Sequence, residues 1–208
     1  MRSIPLADRE KMFAFLQGRE AFKQCLRVCA EVLNSNMDHT HPLFTPLGIA
    51  AHVVYARPFM KSYGFGKLDE VIVPDALRPI HLRVIDRRNK IFAHRQVKQA
   101  RKGGHSELLH LHHVFITVGE RELFTSVAER RVEVEFFAEI AKLSDTLLPK
   151  TRHYSRELFR KYEMVIPREQ GTYQLAMDDS ALEIFAPVEG VELNEESFSE
   201  NLPALKRE

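Results

Sequence analysis

The run Arg88-Asn89-Lys90-Ile91-Phe92-Ala93-His94 carries the most chemical meaning in this 208-residue chain. On a helical wheel at about 100° per residue, Arg88 falls inside the apolar stripe of Leu77, Ile80, Val84 and Ile91, about 20° from Leu77. A guanidinium thus stands where packing favours a leucine. A permanently charged group takes such a position when it is ion-paired or lines a cleft, so an ion partner or a ligand phosphate is implied. Arg87 and His94 share one edge of the same stripe, about 20° apart, whereas His94 is about 120° from Arg88. Arg88 and His94 can therefore serve one phosphate only across a wide groove or between two chains. The bland alternative pairs Arg88 with a buried acid and leaves His94 as a hydrogen-bonding residue at a helix edge. His81, near the centre of the stripe, reads as a hydrogen-bonded core histidine.

These residues belong to the densest basic stretch of the chain. Between Arg78 and Lys102 nine basic residues (Arg78, Arg83, Arg87, Arg88, Lys90, Arg95, Lys98, Arg101, Lys102) face the single acid Asp86. Such a stripe suits a polyanion such as RNA, or else a solvated helix face paired with acids elsewhere. The whole-chain formal charge of +1 conceals an asymmetry. Residues 1–162 hold 27 Lys and Arg against 18 Asp and Glu, whereas residues 163–208 hold 3 against 11. An acidic extension able to cover a basic surface is one expectation from that split.

The elements that must position the motif are mostly helical. Phe15, Phe22, Leu26, Cys29 and Leu33 recur with helical spacing and predict a first helix over 8–33. A second is expected over 47–61, shortened or kinked by Pro58 and stopped at Gly64-Phe65-Gly66-Lys67, which lacks the spacing of a phosphate-binding loop. Val71-Ile72-Val73 looks strand-like, and Pro74-Asp75 starts a third helix reaching Lys98, with Gly103 and Gly104 as its stop. Alternation over 109–118, a Gly119-Glu120 turn and a return over 122–128 predict an inserted β-hairpin. Phe136, Ile140, Leu143 and Leu147, continued by Tyr154, Leu158, Phe159 and Tyr162, predict a fourth helix kinked at Pro149. Two β-like runs, 173–177 and 182–185, precede the acidic end. The expected architecture is mainly α: an antiparallel four-helix bundle over 1–162 with a β-hairpin insert at about 108–128, followed by a small β and irregular acidic extension over 163–208.

Arg88-Asn89, a five-residue spacing and His94 after Ala93, in the third helix of a four-helix unit, resemble the Rx4-6H signature of the HEPN superfamily (higher eukaryotes and prokaryotes nucleotide-binding). Asp86-Arg87 and Phe92-Ala93-His94-Arg95 are similar to HEPN-like proteins of abortive-infection and toxin systems. The resemblance covers residues 75–101 well and the helical skeleton of 8–162 loosely. It implies a helical bundle that dimerises, bringing two motifs into one basic cleft, with a metal-independent endoribonuclease as the activity. A non-catalytic module binding nucleotide, RNA or protein is the alternative. Cleaving RNA without a metal needs a base for the 2′-OH, an acid for the leaving 5′-oxygen, and fixed positive charge for the phosphorane. His94 from each chain has an imidazole whose usual pKa near ~6.5 suits the proton work. Arg88 would clamp the phosphate and Asn89 orient either the phosphate or His94, with Arg87, Arg83, Lys90 and Arg95 guiding the backbone. RNA, a second copy of the chain and an antitoxin or other partner protein are the expected partners, and no cofactor or metal is expected.

Other constellations are weaker. His110, His112 and His113, and the pair His39 and His41, have metal-ligand spacing, but no neighbouring carboxylate or thiolate completes either set. Cys25 and Cys29, the only cysteines, read as buried thiols in a helix. The composition, 44% hydrophobic and 28% charged with 14 Phe, excludes a membrane-spanning chain. Residues 1–8 lack the apolar stretch of a secretory signal, so a cytoplasmic protein is expected.

Overall fold

The computed structural model describes residues 4–60, 66–89, 114–118, 123–127, 133–169, 172–177 and 184–188. The chain is mainly helical, and two long helices, α1 (Leu6–Asn34) and α4 (Val134–Lys161), carry most of the core. They run antiparallel. Asp8 meets Lys161, Phe15 stacks on Tyr154 and Gly18 faces Thr151, so a residue further along α1 is matched by one further back along α4. The seam is apolar because both helices repeat buried side chains at three- and four-residue steps. Phe22, Cys25, Cys29 and Val32 come from α1, and Phe137, Ile140, Leu143 and Leu147 from α4. Both cysteines are free and buried, as the sequence suggested, and burial raises both thiols, Cys29 to about 12.

α4 runs on through Pro149, as the apolar pattern continuing to Tyr162 led one to expect. The missing N–H of Pro149 deprives the Asp145 carbonyl of its helical donor. Both residues are exposed, so the freed carbonyl is open to solvent and the lost bond does not stop the helix.

The second helix, α2 (Phe44–Ala56), lies across this pair and buries Phe44, Ala51, His52 and Tyr55. It ends earlier than expected, at Ala56, and Arg57–Phe59 tightens into a 3-10 turn at Pro58. Val71-Ile72-Val73 is not a strand. Glu70–Ile72 forms a 3-10 turn because the Asp69 carboxylate accepts the Val71 N–H at 3.0 Å, an N-cap that outweighs the β preference of valine and isoleucine. Lys150 of α4 donates to the Ile72 carbonyl at 2.9 Å and fixes that turn.

Gly66, read from the sequence as part of a helix stop, is a point of close approach. A Cβ there would lie 2.7 Å from the Glu10 carbonyl oxygen of α1. The obstacle is backbone and cannot rotate away, so Gly66→Ala is expected to destabilise by about 1–3 kcal/mol, as overpacking does. Denaturant melts check this. An unchanged midpoint would mean that the 66–69 segment shifts freely on α1.

The third helix, α3 (Arg78–Arg87), follows a 3-10 turn at Asp75–Leu77, and Arg88 and Asn89 continue it in a wider, π-helical turn. The expected hairpin is present, with β1 (Val114–Val118) antiparallel to β2 (Leu123–Val127) and Ile116 paired with Thr125. A second small hairpin joins β3 (Tyr173–Leu175) and β4 (Phe185–Pro187), the latter displaced toward the C-terminus from the predicted run. Leu175 and Phe185 pack on Ile4, Met12 and Tyr162, and Arg9 of α1 donates to the Ala176 carbonyl at 2.7 Å. The acidic region 163–208 therefore begins with a folded hairpin seated where the ends of α1 and α4 meet. No helix among the described residues is long and apolar enough to cross a membrane.

Candidate functional site

The candidate site grows from the last turns of α3. This helix forms because Pro79 sits in its first turn, where no amide hydrogen is needed, and because Leu77 and Val84 bury one face. That face lies against α2 and α4.

His81 occupies the middle of the face with no exposed surface. Its Nδ1 shares a 2.8 Å hydrogen bond with the Tyr55 hydroxyl, and its ring meets Phe59 edge-on, centroids 4.6 Å apart. Desolvation lowers its pKa and holds the imidazole neutral. His81 is thus the hydrogen-bonded core histidine expected from the sequence, although its Nε2 has no partner among the described residues. His52 of α2 is equally buried, with Nδ1 2.7 Å from the Gly48 carbonyl oxygen. Its pKa is lowered to about 4, first by desolvation.

Toward its end α3 presents arginines in three different states. Arg83 pairs with Glu139 of α4 at 2.5 Å, in a half-exposed bridge. Arg87 is 8% exposed and lays its guanidinium 3.5 Å above the centroid of the Phe136 ring, a close cation–π arrangement. Arg88 is only partly buried. The order anticipated from the wheel is therefore reversed, with Arg87 sunk more deeply than Arg88. The wheel assumed a uniform α-helix, whereas the 3-10 start and the π-helical turn at 88–89 change the phase at both ends. Phe136 also lies beside the His52 ring, centroids 5.9 Å apart, so one aromatic anchors a cation and a histidine.

Phe136→Leu keeps the site apolar but removes the ring. The variant is expected to lose about 1–2 kcal/mol, the cation–π contact plus imperfect refilling. Thermal unfolding measures this, and a gain in stability would show that the stacked guanidinium contributes nothing.

Arg88 and Asn89 are joined through their side chains. Arg88 Nη1 donates to Asn89 Oδ1 at 3.0 Å, and Arg88 Nε, itself shielded from solvent, makes no hydrogen bond among the described residues. One side of the guanidinium is thus held by the neighbouring amide, while a buried N–H is left for an acceptor. A phosphate oxygen suits that role because it brings both charge and lone pairs. Lys90, His94 and Arg95 lie outside the described residues, as do His110, His112 and His113. His39 and His41 are exposed, and His41 Nδ1 accepts the Leu43 N–H at 3.2 Å, which makes it a turn residue. No metal-binding cluster exists among the described residues.

Sequence reasoning missed three features of this region. The partners Phe136 and Glu139 lie more than forty residues from α3, beyond any spacing rule. The Tyr55–His81 pair likewise joins separate helices. A ridge of arginines on α4, Arg152, Arg156 and Arg160, was legible from its four-residue spacing but was overshadowed by the denser stretch at 78–102. Comparison of the chain with protein-family models, curated proteins and solved structures finds no match.

Proposed function

We propose that the protein is a metal-independent endoribonuclease of HEPN type, built on an antiparallel four-helix bundle that pairs two copies of the Arg88–His94 motif in one cleft. The observation that carries this reading is the Arg88–Asn89 pair, whose amide steadies the guanidinium while a buried N–H has no acceptor among the described residues. Arg88 binds the scissile phosphate and neutralises charge as the phosphorane forms. Asn89 fixes the guanidinium plane. His94 of one copy takes the 2′-hydroxyl proton, and that of the other protonates the departing 5′-oxygen. The products are a 2′,3′-cyclic phosphate and a 5′-hydroxyl end. Lys90 and Arg95 contact the flanking backbone. A toxin or antiphage role, restrained by a partner protein, follows from such an activity in a cytoplasmic setting.

The engagement of Arg83 by Glu139 and of Arg87 by Phe136 favours a second reading, in which the same module binds RNA or nucleotide without turnover. One assay separates them. Purified wild-type protein is incubated with mixed single-stranded RNA in excess EDTA, beside Arg88→Ala and His94→Ala. The expected result is cleavage with cyclic phosphate ends by the wild type alone. Equal activity, or equal inertness, of all three proteins rejects the catalytic assignment.

A further inference from the structure

The second basic surface of the molecule lies on α4, well away from the motif. Arg152, Arg156 and Arg160 occur at four-residue intervals, so they lie along one face with a rise of about 6 Å per step. With Pro149, His153 and Glu157 they line an open groove of about 470 Å3. Arg160 pairs with Glu157 at 3.2 Å, both being largely exposed. Arg152 and Arg156 meet no acid among the described residues. The α3 arginines contact α4 thirteen or more residues earlier, at Phe136 and Glu139. That separation is about 20 Å or more along the axis, and the ridge falls on a different side of the helix. RNA bound at the motif would have to turn around α4 to reach it.

The C-terminal segment has complementary chemistry and starts close by. Its described part ends at Val188, whose N–H bonds the Thr172 carbonyl at 2.9 Å as the β3–β4 hairpin closes. That hairpin packs with Leu158 and Phe159, immediately before Arg160. Residues 189–208 contain six glutamates against Lys206 and Arg207. Glu192, Glu196 and Glu200 repeat the four-residue interval of the three arginines. The ridge spans eight residues of helix, about 12 Å, which a twenty-residue segment reaches with ease. We infer that the arginine ridge of α4 is the docking surface for the acidic segment 189–208 of the same chain, with Glu192, Glu196 and Glu200 lying along Arg152, Arg156 and Arg160. The inference stands apart from the ribonuclease reading, since none of these residues belongs to the Arg88–His94 motif.

A nitroxide on Ser197→Cys in the full chain tests it, because Cys25 and Cys29 are buried and do not compete for the label. Amide signals of residues 150–160 are expected to broaden severalfold at low salt and to recover in 0.5 M NaCl, as screening of exposed charges requires. Combining Arg152→Glu, Arg156→Glu and Arg160→Glu is expected to abolish the broadening, and adding Glu192→Lys, Glu196→Lys and Glu200→Lys to restore it. Broadening centred on 83–89, or spread evenly, would overturn the inference. So would broadening seen only between labelled and unlabelled copies, which would assign the ridge to a second chain. Ridge signals insensitive to the label but shifted by a single-stranded oligonucleotide would assign it to nucleic acid instead.

Discussion

Between pH 7 and pH 4 the folded protein is expected to lose about 3 kcal/mol of stability through His52 alone. Desolvation dominates the shift, and the Arg87 cation adds to it. Together they outweigh the hydrogen bond to the Gly48 carbonyl and bring the folded-state pKa from 6.5 to about 4. In the unfolded chain the same imidazole takes its proton near the ordinary value of ~6.5. Over the interval between the two values the unfolded state binds more protons, so stability falls as the pH falls and the loss is complete below about 4. His81 contributes with the same sign, because burial beside Phe59 and Tyr55 also lowers its pKa. Asp8 extends the trend further into acid. Its carboxylate accepts hydrogen bonds from Lys161 and Tyr162, and its pKa of about 2 means that this clasp is lost only as the pH passes from about 4 to 2. Denaturant unfolding at pH 7, 5.5 and 4 measures the profile. His52→Gln is expected to be less stable at pH 7 but flatter across the range. A level profile in the wild type would show that His52 is hydrated and titrates normally.

The parts of this behaviour that were legible in the sequence are those governed by local periodicity. The stripes of α1 and α4 repeat over seven or more turns, so their existence and faces were plain, and the alternation of 114–127 marked its hairpin. Val71-Ile72-Val73 misled because three β-branched residues weigh less than one well-placed Asp69 cap, whereas the stripe of α4 was readable straight through Pro149. At the site, adjacency made the Arg88–Asn89 pair readable. Nothing local placed Phe136 beneath Arg87, or Tyr55 against His81. Those contacts depend on how far α4 and α2 slide along α3, which is decided by packing throughout the core. The phase of the motif was lost for a related reason, since one π-helical turn exchanges the depths of neighbouring arginines.

That exchange gives Arg88 its sharpest test. Arg88→Lys is expected to lower single-turnover cleavage of single-stranded RNA by about 10²–10³-fold, the usual consequence of removing one preorganised donor from the developing charge. Lysine keeps the positive charge and has donors to spare, but its single ammonium nitrogen lacks the planar fork that holds one N–H on Asn89 while another, on a separate nitrogen, is fixed toward the phosphate. RNA affinity and its salt dependence are expected to change little, because the number of neutralised phosphates is the same. Arg88→Ala is expected to lose rate and affinity together. The separation distinguishes three roles. A fall in rate at constant affinity assigns Arg88 to the transition state. Unchanged rate and affinity in the lysine variant reduce it to a generic charge. Weakened binding to RNA that neither protein cleaves makes the Arg88–Asn89 pair a recognition element. Arg88 is only partly buried, and its side-chain hydrogen bond is to its own neighbour, so thermal unfolding of either variant is expected to stay within about 1 kcal/mol of the wild type. With the fold unchanged, a loss of rate in either variant would report on the chemistry at the phosphate.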